Sequence, residues 1–177
     1  MSLRIGINGF GRIGRLLARV LATRPGVVIS HINDPGLDAA QAAHLLCFDS
    51  VHGRWDGQVT AEGDSLRLNG QTVGVSRDRD LAAWQGRADV VVDCSGRLRA
   101  APDLAPYRQA GVAQVLVSAP VDGLPNIVVG VNDHGPDLAA AALWGASVSA
   151  AECAPPQMVK VVFWNVTPGI DPASFAA

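Results

Sequence analysis

No stretch of this chain approaches the roughly 18 consecutive apolar residues that a membrane-spanning helix requires. The opening "MSLRIGING" also lacks the apolar segment of a secretory signal, so a cytoplasmic protein without a membrane partner is expected. Basic runs are missing too. With a formal net charge of −2 and no Lys/Arg cluster, the chain carries no electrostatic footprint for nucleic acid. Cysteine is scarce and scattered: Cys47, Cys94 and Cys153 form no CxxC pair and no Cys/His group with zinc spacing. Neither a disulfide framework nor a bound metal is expected. Apolar residues make up 49% of the 177 positions and charged ones 17%, the balance of a folded α/β protein of one domain with a short appendage.

The apolar segments fall into an alternating order. "LRIGIN" (3–8) reads as a buried strand ended by Gly9, and "GRIGRLLARVLATR" (11–24) follows as a helix. Ile13, Leu16, Leu17, Val20 and Leu21 fall on one helical face. Pro25-Gly26 stops that helix, and "VVISHIN" (27–33) is a second strand; strand, glycine turn, helix and strand make a βαβ crossover of about 30 residues, which implies parallel pairing. "DAAQAAHLL" (38–46) reads as a helix, and 58–76, with its "NG", as antiparallel hairpins on the sheet edge. Strands are expected in "ADVVVDCSG" (88–96), "AQVLVSAP" (113–120) and "NIVVGVN" (126–132), with helices near 103–110 and at "PDLAAAALW" (136–144). The result is a doubly wound, mostly parallel α/β sheet of the Rossmann type over residues 1–148. From residue 149 the character changes to a tail with four prolines (Pro155, Pro156, Pro168 and Pro172) and one possible short strand at 159–164.

In "GFGRIG", Gly9, Gly11 and Gly14 fit G-x-G-x-x-G between a strand and a helix. That pattern permits a tight turn, close approach of backbone to a pyrophosphate, and close helix–strand packing. The free N–H groups of the helix N-terminus then face the phosphates. Asp34 lies 20 residues after Gly14 at the end of the second strand, where a carboxylate accepts hydrogen bonds from a ribose diol and repels a 2′-phosphate, favouring NAD over NADP. Within "NDPG", Asp34 also fits a plain turn. Ser95-Gly96 and Ser118 end later strands, on the edge where open α/β sheets bind ligands. His44 and His52 read as packing or loop residues, His31 stands near a strand end and His134 in a turn, while Cys47 and Cys94 read as core thiols.

"INGFGRIGR" (7–15), "FDSVHGRW" (48–55), "DVVVDCSGR" (89–97), "VLVSAP" (115–120) and "VVGVN" (128–132) occur in one order. In that order the chain resembles the phosphorylating glyceraldehyde-3-phosphate dehydrogenases over residues 1 to about 140. "HIND", "AAHLL" and "HGRW" are most similar to the branch associated with arsenate resistance operons. The resemblance implies NAD as cofactor. Arg12 and Ile13 would offer backbone amides to the pyrophosphate, Asp34 would hold the adenosine ribose, and Arg77 would lie near the adenine. Ser95, Gly96 and Ser118 would line the cofactor. It further implies a homo-oligomer and a phosphorylated aldehyde as substrate, oxidised to an acyl-phosphate through a cysteine thiolate, with arsenate replacing phosphate in the arsenate branch.

The catalytic stretch of the family has two possible counterparts here. Counted without gaps from "GVNDH", the nucleophile falls on Ser149 and the family's second cysteine on Cys153; laid on "VSAAEC", Cys153 becomes the nucleophile. Thiolate chemistry on a phosphorylated aldehyde also needs an imidazole partner and cationic donors. No histidine follows His134, no arginine follows Arg108, and Lys160 is the only later cation. The family's second, catalytic domain is therefore expected to be missing, with 149–177 its divergent, truncated or frameshifted start. A stand-alone, non-catalytic module for NAD binding or subunit interaction is the alternative function.

Overall fold

A computed structural model of the chain describes residues 2–124, together with the backbone of 126–127 and 143–146. The tail from 147, with Ser149 and Cys153, lies outside the described residues, as does His134.

β1 (Leu3–Asn8), α1 (Arg12–Leu21) and β2 (Val27–Asn33) form the opening crossover, with β1 and β2 parallel. α2 (Ala39–Cys47) follows, then a two-residue pair, β3 (Phe48–Asp49) and β4 (Gly53–Arg54). β5 (Val59–Glu62), β6 (Ser65–Leu68) and β7 (Gln71–Ser76) run as consecutive antiparallel strands, and β7 lies parallel to β2. β8 (Val90–Asp93), α3 (Ala105–Gln109), β9 (Gln114–Val117), β10 (Asn126–Ile127) and β11 (Leu143–Ala146) complete the order. Among the described residues the main sheet has nine strands, in the order β10-β11-β9-β8-β1-β2-β7-β6-β5. Among the described residues its antiparallel pairings are β5–β6 and β6–β7, at one edge, so β6 alone runs against the other strands of this sheet. The chain leaves β1 to one side through α1 and later returns to its other side with β8, a doubly wound arrangement with its switch point at β1.

Local chemistry explains the elements. In α1 the buried residues are Gly14, Leu17, Ala18 and Leu21, spaced i, i+3, i+4, i+7. The expected stripe therefore rotates slightly: Ile13, Leu16 and Val20 flank it and are only half-buried. α2 opens with a capping box, in which Asp38 Oδ1 accepts from Gln41 N (2.8 Å) and Gln41 Oε1 from Asp38 N (3.0 Å). The β6–β7 hairpin turns at Asn69-Gly70, both with positive φ (48° and 83°), as a two-residue turn of the right twist requires.

Two expectations are corrected. The helix near 103–110 divides into a 3-10 turn over Ala101–Leu104 and the single turn of α3, because Pro102 and Pro106 each interrupt backbone donation. Leu143 and Trp144, read as the end of a helix, instead lie in β11, parallel to β9. Pairing against an existing strand edge outweighs the alanine-rich context there.

The two sheet faces carry separate cores, as alternation along the strands requires. Ile5, Ile7 and Val92 pack with Leu17, Leu21 and Leu46 on one side; Val91, Val115 and Val117 pack with Trp84, Leu104 and Tyr107 on the other. Each fully buried side chain of this size contributes about 1.5–3 kcal/mol. Trp84 reaches the sheet only because position 6 has no side chain: a Cβ on Gly6 would stand 2.1 Å from Trp84 Cζ3. Gly6→Ala is expected to cost about 1–3 kcal/mol through overpacking. Equilibrium denaturation checks this, and an unchanged midpoint would show that the indole does not occupy this position.

Candidate dinucleotide site

Gly9, Gly11 and Gly14 follow β1, Asp34 follows β2, Arg77 follows β7, Ser95 and Gly96 follow β8, and Ser118 follows β9. These strands are mutually parallel, so all eight residues, with Arg12 and Ile13, stand at one edge of the sheet. Backbone bonds carry the ladder into the loops: Gly9 N donates to Asn33 O (2.8 Å), Cys94 N to Asn8 O (2.6 Å), Asp34 N to Ser76 O (3.0 Å) and Ser118 N to Asp93 O (2.9 Å).

The three glycines do different work. Gly9 takes φ +88°, and a Cβ there would lie 2.6 Å from the Ser95 backbone, so the glycine turn rests directly on the loop after β8. A Cβ on Gly14 would come within 2.1 Å of Gly9 O, which brings α1 hard against the turn. At Gly11 a Cβ would meet nothing within 4 Å. Gly11 is the N-cap of α1, with no side-chain cap and no acidic residue in the first turn. The helix thus offers uncapped N–H groups and a positive dipole end to a space that a ligand can fill.

Asp34 is tied into the same turn. Its Oδ2 accepts from Phe10 N (2.7 Å) and its Oδ1 from Gly36 N (2.8 Å). The turn leaves room for the acceptor reading, since each carboxylate oxygen keeps a further lone pair. An uncapped helix N-terminus, open space over Gly11 and a fixed carboxylate at the end of β2 fit a dinucleotide. On this geometry Arg12 and Ile13 would hold the pyrophosphate and Asp34 the ribose.

Beneath this edge lies a row of side chains to which the sequence reading assigns no role. Asp93, Asn8, Asn33 and Ser76 are register partners on β8, β1, β2 and β7. Asn8 Nδ2 donates to Asp93 Oδ2 (2.7 Å), Asn33 Nδ2 to Asn8 Oδ1 (2.8 Å), and Ser76 Oγ to Asn33 Oδ1 (2.8 Å). Asp93 has no solvent exposure. It also accepts from Tyr107 Oη (2.8 Å), Ser95 N (3.0 Å) and Ser95 Oγ (2.7 Å). Burial and the adjacent Asp93 charge push the Tyr107 hydroxyl well above the usual phenol range, so it stays a donor. The available signal in the sequence is that each of these four strands ends in a single polar residue.

The row ends in a charged cluster. His31 Nε2 lies 2.8 Å from Ser76 Oγ, and Arg87 Nη1 reaches Ser76 Oγ (3.2 Å) and pairs with Asp78 Oδ2. Burial, reinforced by the Arg87 charge and opposed by Asp78, pushes the His31 imidazole down to about 4. The hydrogen bond from Arg87 holds the Asp78 carboxyl below its usual range.

The segment "FDSVHGRW" forms the β3–β4 pair around Asp49. Its Oδ1 accepts from Val51 N, His52 N (2.9 Å each) and His52 Nδ1 (3.1 Å), which hold the carboxyl well below its usual range. Arg15 Nη2 lies 3.8 Å from Asp49 while its Nη1 donates to Phe10 O, joining this segment to the glycine turn. His44 packs against the Phe48 ring at 5.1 Å. Cys47 and Cys94 are half-buried, and Cys94 packs against the core cluster that holds Ile5, Ile7 and Val92. Each follows or ends its element at a loop, and burial pushes the Cys94 thiol up to about 12. Among the described residues no His/Cys/Asp/Glu group could hold a metal ion, and no helix is long and apolar enough to cross a membrane.

Fold and glycine turn together define a dinucleotide-binding α/β domain of the Rossmann type. The family model "Glyceraldehyde 3-phosphate dehydrogenase, NAD binding domain" matches residues 3–101, and the chain belongs to that family. It is 45% identical over 138 residues to glyceraldehyde-3-phosphate dehydrogenase 3 of Nostoc sp., covering 76% of this chain and 41% of the relative. To glyceraldehyde-3-phosphate dehydrogenase 1 of Bacillus subtilis it is 42% identical over 144 residues, covering 78% and 42%. For the enzyme of Geobacillus stearothermophilus the identity is 41% over 136 residues, covering 75% and 40%. The chain thus spans about two fifths of the length of these relatives.

Asp93→Asn replaces acceptor capacity by a donor amid saturated donors and is expected to destabilise by at least about 2 kcal/mol, against about 1 kcal/mol for Tyr107→Phe. Urea unfolding of both variants checks the order, and equal losses would contradict the network. Stability is also expected to fall with acid. The His31 contribution is complete above its ordinary value near 6.5 and is lost as pH falls toward about 4. The Asp49 and Asp78 contributions are complete above the usual carboxylate range and fade as pH falls through it. Urea midpoints at pH 7.0, 5.5 and 4.5 should decline in that order; a flat or rising series would contradict these assignments.

Proposed function

We propose that this chain is the cofactor-holding part of a cytoplasmic, homo-oligomeric dehydrogenase that oxidises a phosphorylated aldehyde to an acyl-phosphate, or to an acyl-arsenate where arsenate stands in for phosphate. The observation that carries the reading is the uncapped N-terminus of α1 with open space over Gly11, facing a carboxylate fixed at the end of β2. When bound, NAD supplies the hydride acceptor. The chain's own residues do the holding. Amides of Arg12 and Ile13 bind the pyrophosphate, Asp34 accepts from the adenosine ribose and disfavours a 2′-phosphate, and Arg77 borders the adenine. Ser95, Gly96 and Ser118 line the remaining length of the cofactor.

In this reading the nucleophile position belongs to Cys153, or to Ser149 in the gapless count, where a hydroxyl would lack the intrinsic nucleophilicity of a thiolate. Lys160 is the only cation after Arg108 and no histidine follows His134. Phosphate binding and thiolate activation by this chain alone are correspondingly weak, and its own turnover is expected to be negligible.

The test is calorimetric titration of the purified chain with NAD and NADP. NAD is expected to bind more tightly than NADP. Gly11→Val introduces a side chain where no protein atom stands within 4 Å, at a φ of −70° that valine adopts without strain. As an N-cap change it should lower stability by about 1 kcal/mol while leaving the chain folded, and weaken NAD at least about tenfold, the loss of roughly 1.4 kcal/mol. Absence of NAD binding by the parent chain, or equal affinity in the variant, would overturn the reading.

A further inference from the structure

The hydrogen-bond row has a fixed direction, which follows from proton counting. Asp93, saturated with donors, can only accept from Asn8 Nδ2, which leaves Asn8 Oδ1 as the acceptor for Asn33 Nδ2. Backbone groups fix Asn33 independently: Asp78 N donates to its Oδ1 (2.8 Å) and its Nδ2 donates to Asp78 O (3.0 Å). The Ser76 hydroxyl therefore spends its one proton on Asn33 Oδ1 (2.8 Å). Its lone pairs must then be met by donors, and the two groups beside them are Arg87 Nη1 and His31 Nε2. Arg87 Nη1 also stands 3.4 Å from His31 Nε2, a longer approach than the 2.8 Å to Ser76 Oγ, and a proton on Nε2 directed at Ser76 closes the chain His31→Ser76→Asn33→Asn8→Asp93.

What this chain holds in place is the loop of residues 77–80. Asp78 is bonded to Asn33 through both its backbone N–H and its carbonyl, and its carboxylate pairs with Arg87. Arg77 sits between two residues fixed in this way, and Asp34 N bonds to Ser76 O on the adjoining strand. His31 is itself wedged. Its ring stands edge-on to Trp84 at 5.5 Å, and a Cβ on Gly74 would approach its Nδ1 to 2.7 Å.

We propose that His31 is a positioning residue for the adenosine half of the dinucleotide site: its Nε2–H completes the one-way chain that fixes the loop of Arg77 beside Asp34. The proposal rests on the NAD reading above. Glutamine at position 31 keeps an N–H donor that can reach Ser76, whereas leucine fills the space and donates nothing.

The experiment compares the parent chain with His31→Gln and His31→Leu at pH 7.5, by amide hydrogen exchange of a peptide covering 77–80 without cofactor and by calorimetric NAD affinity. His31→Leu is expected to speed exchange in that peptide and weaken NAD about fivefold, the fold-change that one net hydrogen bond is worth. His31→Gln is expected to restore both to within about twofold of the parent. The two histidine tautomers have distinct ring-nitrogen shifts in ¹⁵N NMR, so the parent chain supplies a readout even if the leucine variant fails to fold; a neutral His31 protonated at Nδ1 overturns the proposal. Unchanged loop exchange in His31→Leu, or failure of glutamine to restore it, also overturns it. Loop exchange that responds as expected while no protein binds NAD sustains the latch and overturns the cofactor reading instead.

Discussion

A fully buried carboxylate governs much of this structure. Asp93 has surrendered its hydration, and a carboxylate in that position is tolerated only when several donors converge on it. They come from three places: Asn8 on β1, Tyr107 on α3, and the backbone and side chain of Ser95 in the loop after β8. Satisfying one charge thus fixes the relative positions of two strands, a helix and a loop. Asn8 passes the constraint on to Asn33, and Asn33 to the loop after β7. The loops that make up the dinucleotide site leave the sheet from this row, and their positions follow from how it is satisfied.

Much of the fold is legible in the sequence because its signals are local. β1, the glycine turn, α1 and β2 lie within 31 consecutive positions, Leu3 to Asn33, and their pattern of short apolar run, glycines, helical stripe and second apolar run admits few other structures. Asn69-Gly70 marks a hairpin for a backbone reason, since both residues adopt positive φ. Legibility fails where distant partners decide. Leu143 and Trp144 belong to an alanine-rich run with helical propensity, yet they extend a sheet whose edge is set by β9, far back in the chain. The polar row is hidden for the same reason: Asn8 meets partners 25 and 85 residues away, and no window of neighbouring residues shows the match.

The site divides similarly. Gly9, Gly11 and Gly14 announce themselves by spacing; the structure gives Gly9 and Gly14 each a steric reason, while Gly11 faces open space. Asp34 is ambiguous in sequence because "NDPG" suits a turn as well as a ribose acceptor, and the structure shows the turn. The bonds from Phe10 N and Gly36 N form the turn and also aim the carboxylate. Arg87 and Asp78 carry no motif, and "HIND" gives His31 no partner. They become a cluster only once β2, β7 and the segment before β8 are side by side.

The polar ends of the strands also bear on how the sheet is assembled. β8, "VVVD", presents valines to both faces, so its side-chain alternation alone says little about how far it should be slid along β1. A shift of two residues between β1 and β8, which keeps each side chain on its face, would exchange valine contacts for other valine or isoleucine contacts. The same shift would strand the Asp93 charge away from Asn8, which is expensive inside a protein. One hydrophilic residue at the tip of each strand thus acts as an alignment mark, penalising every mis-slid pairing that the apolar residues alone would accept.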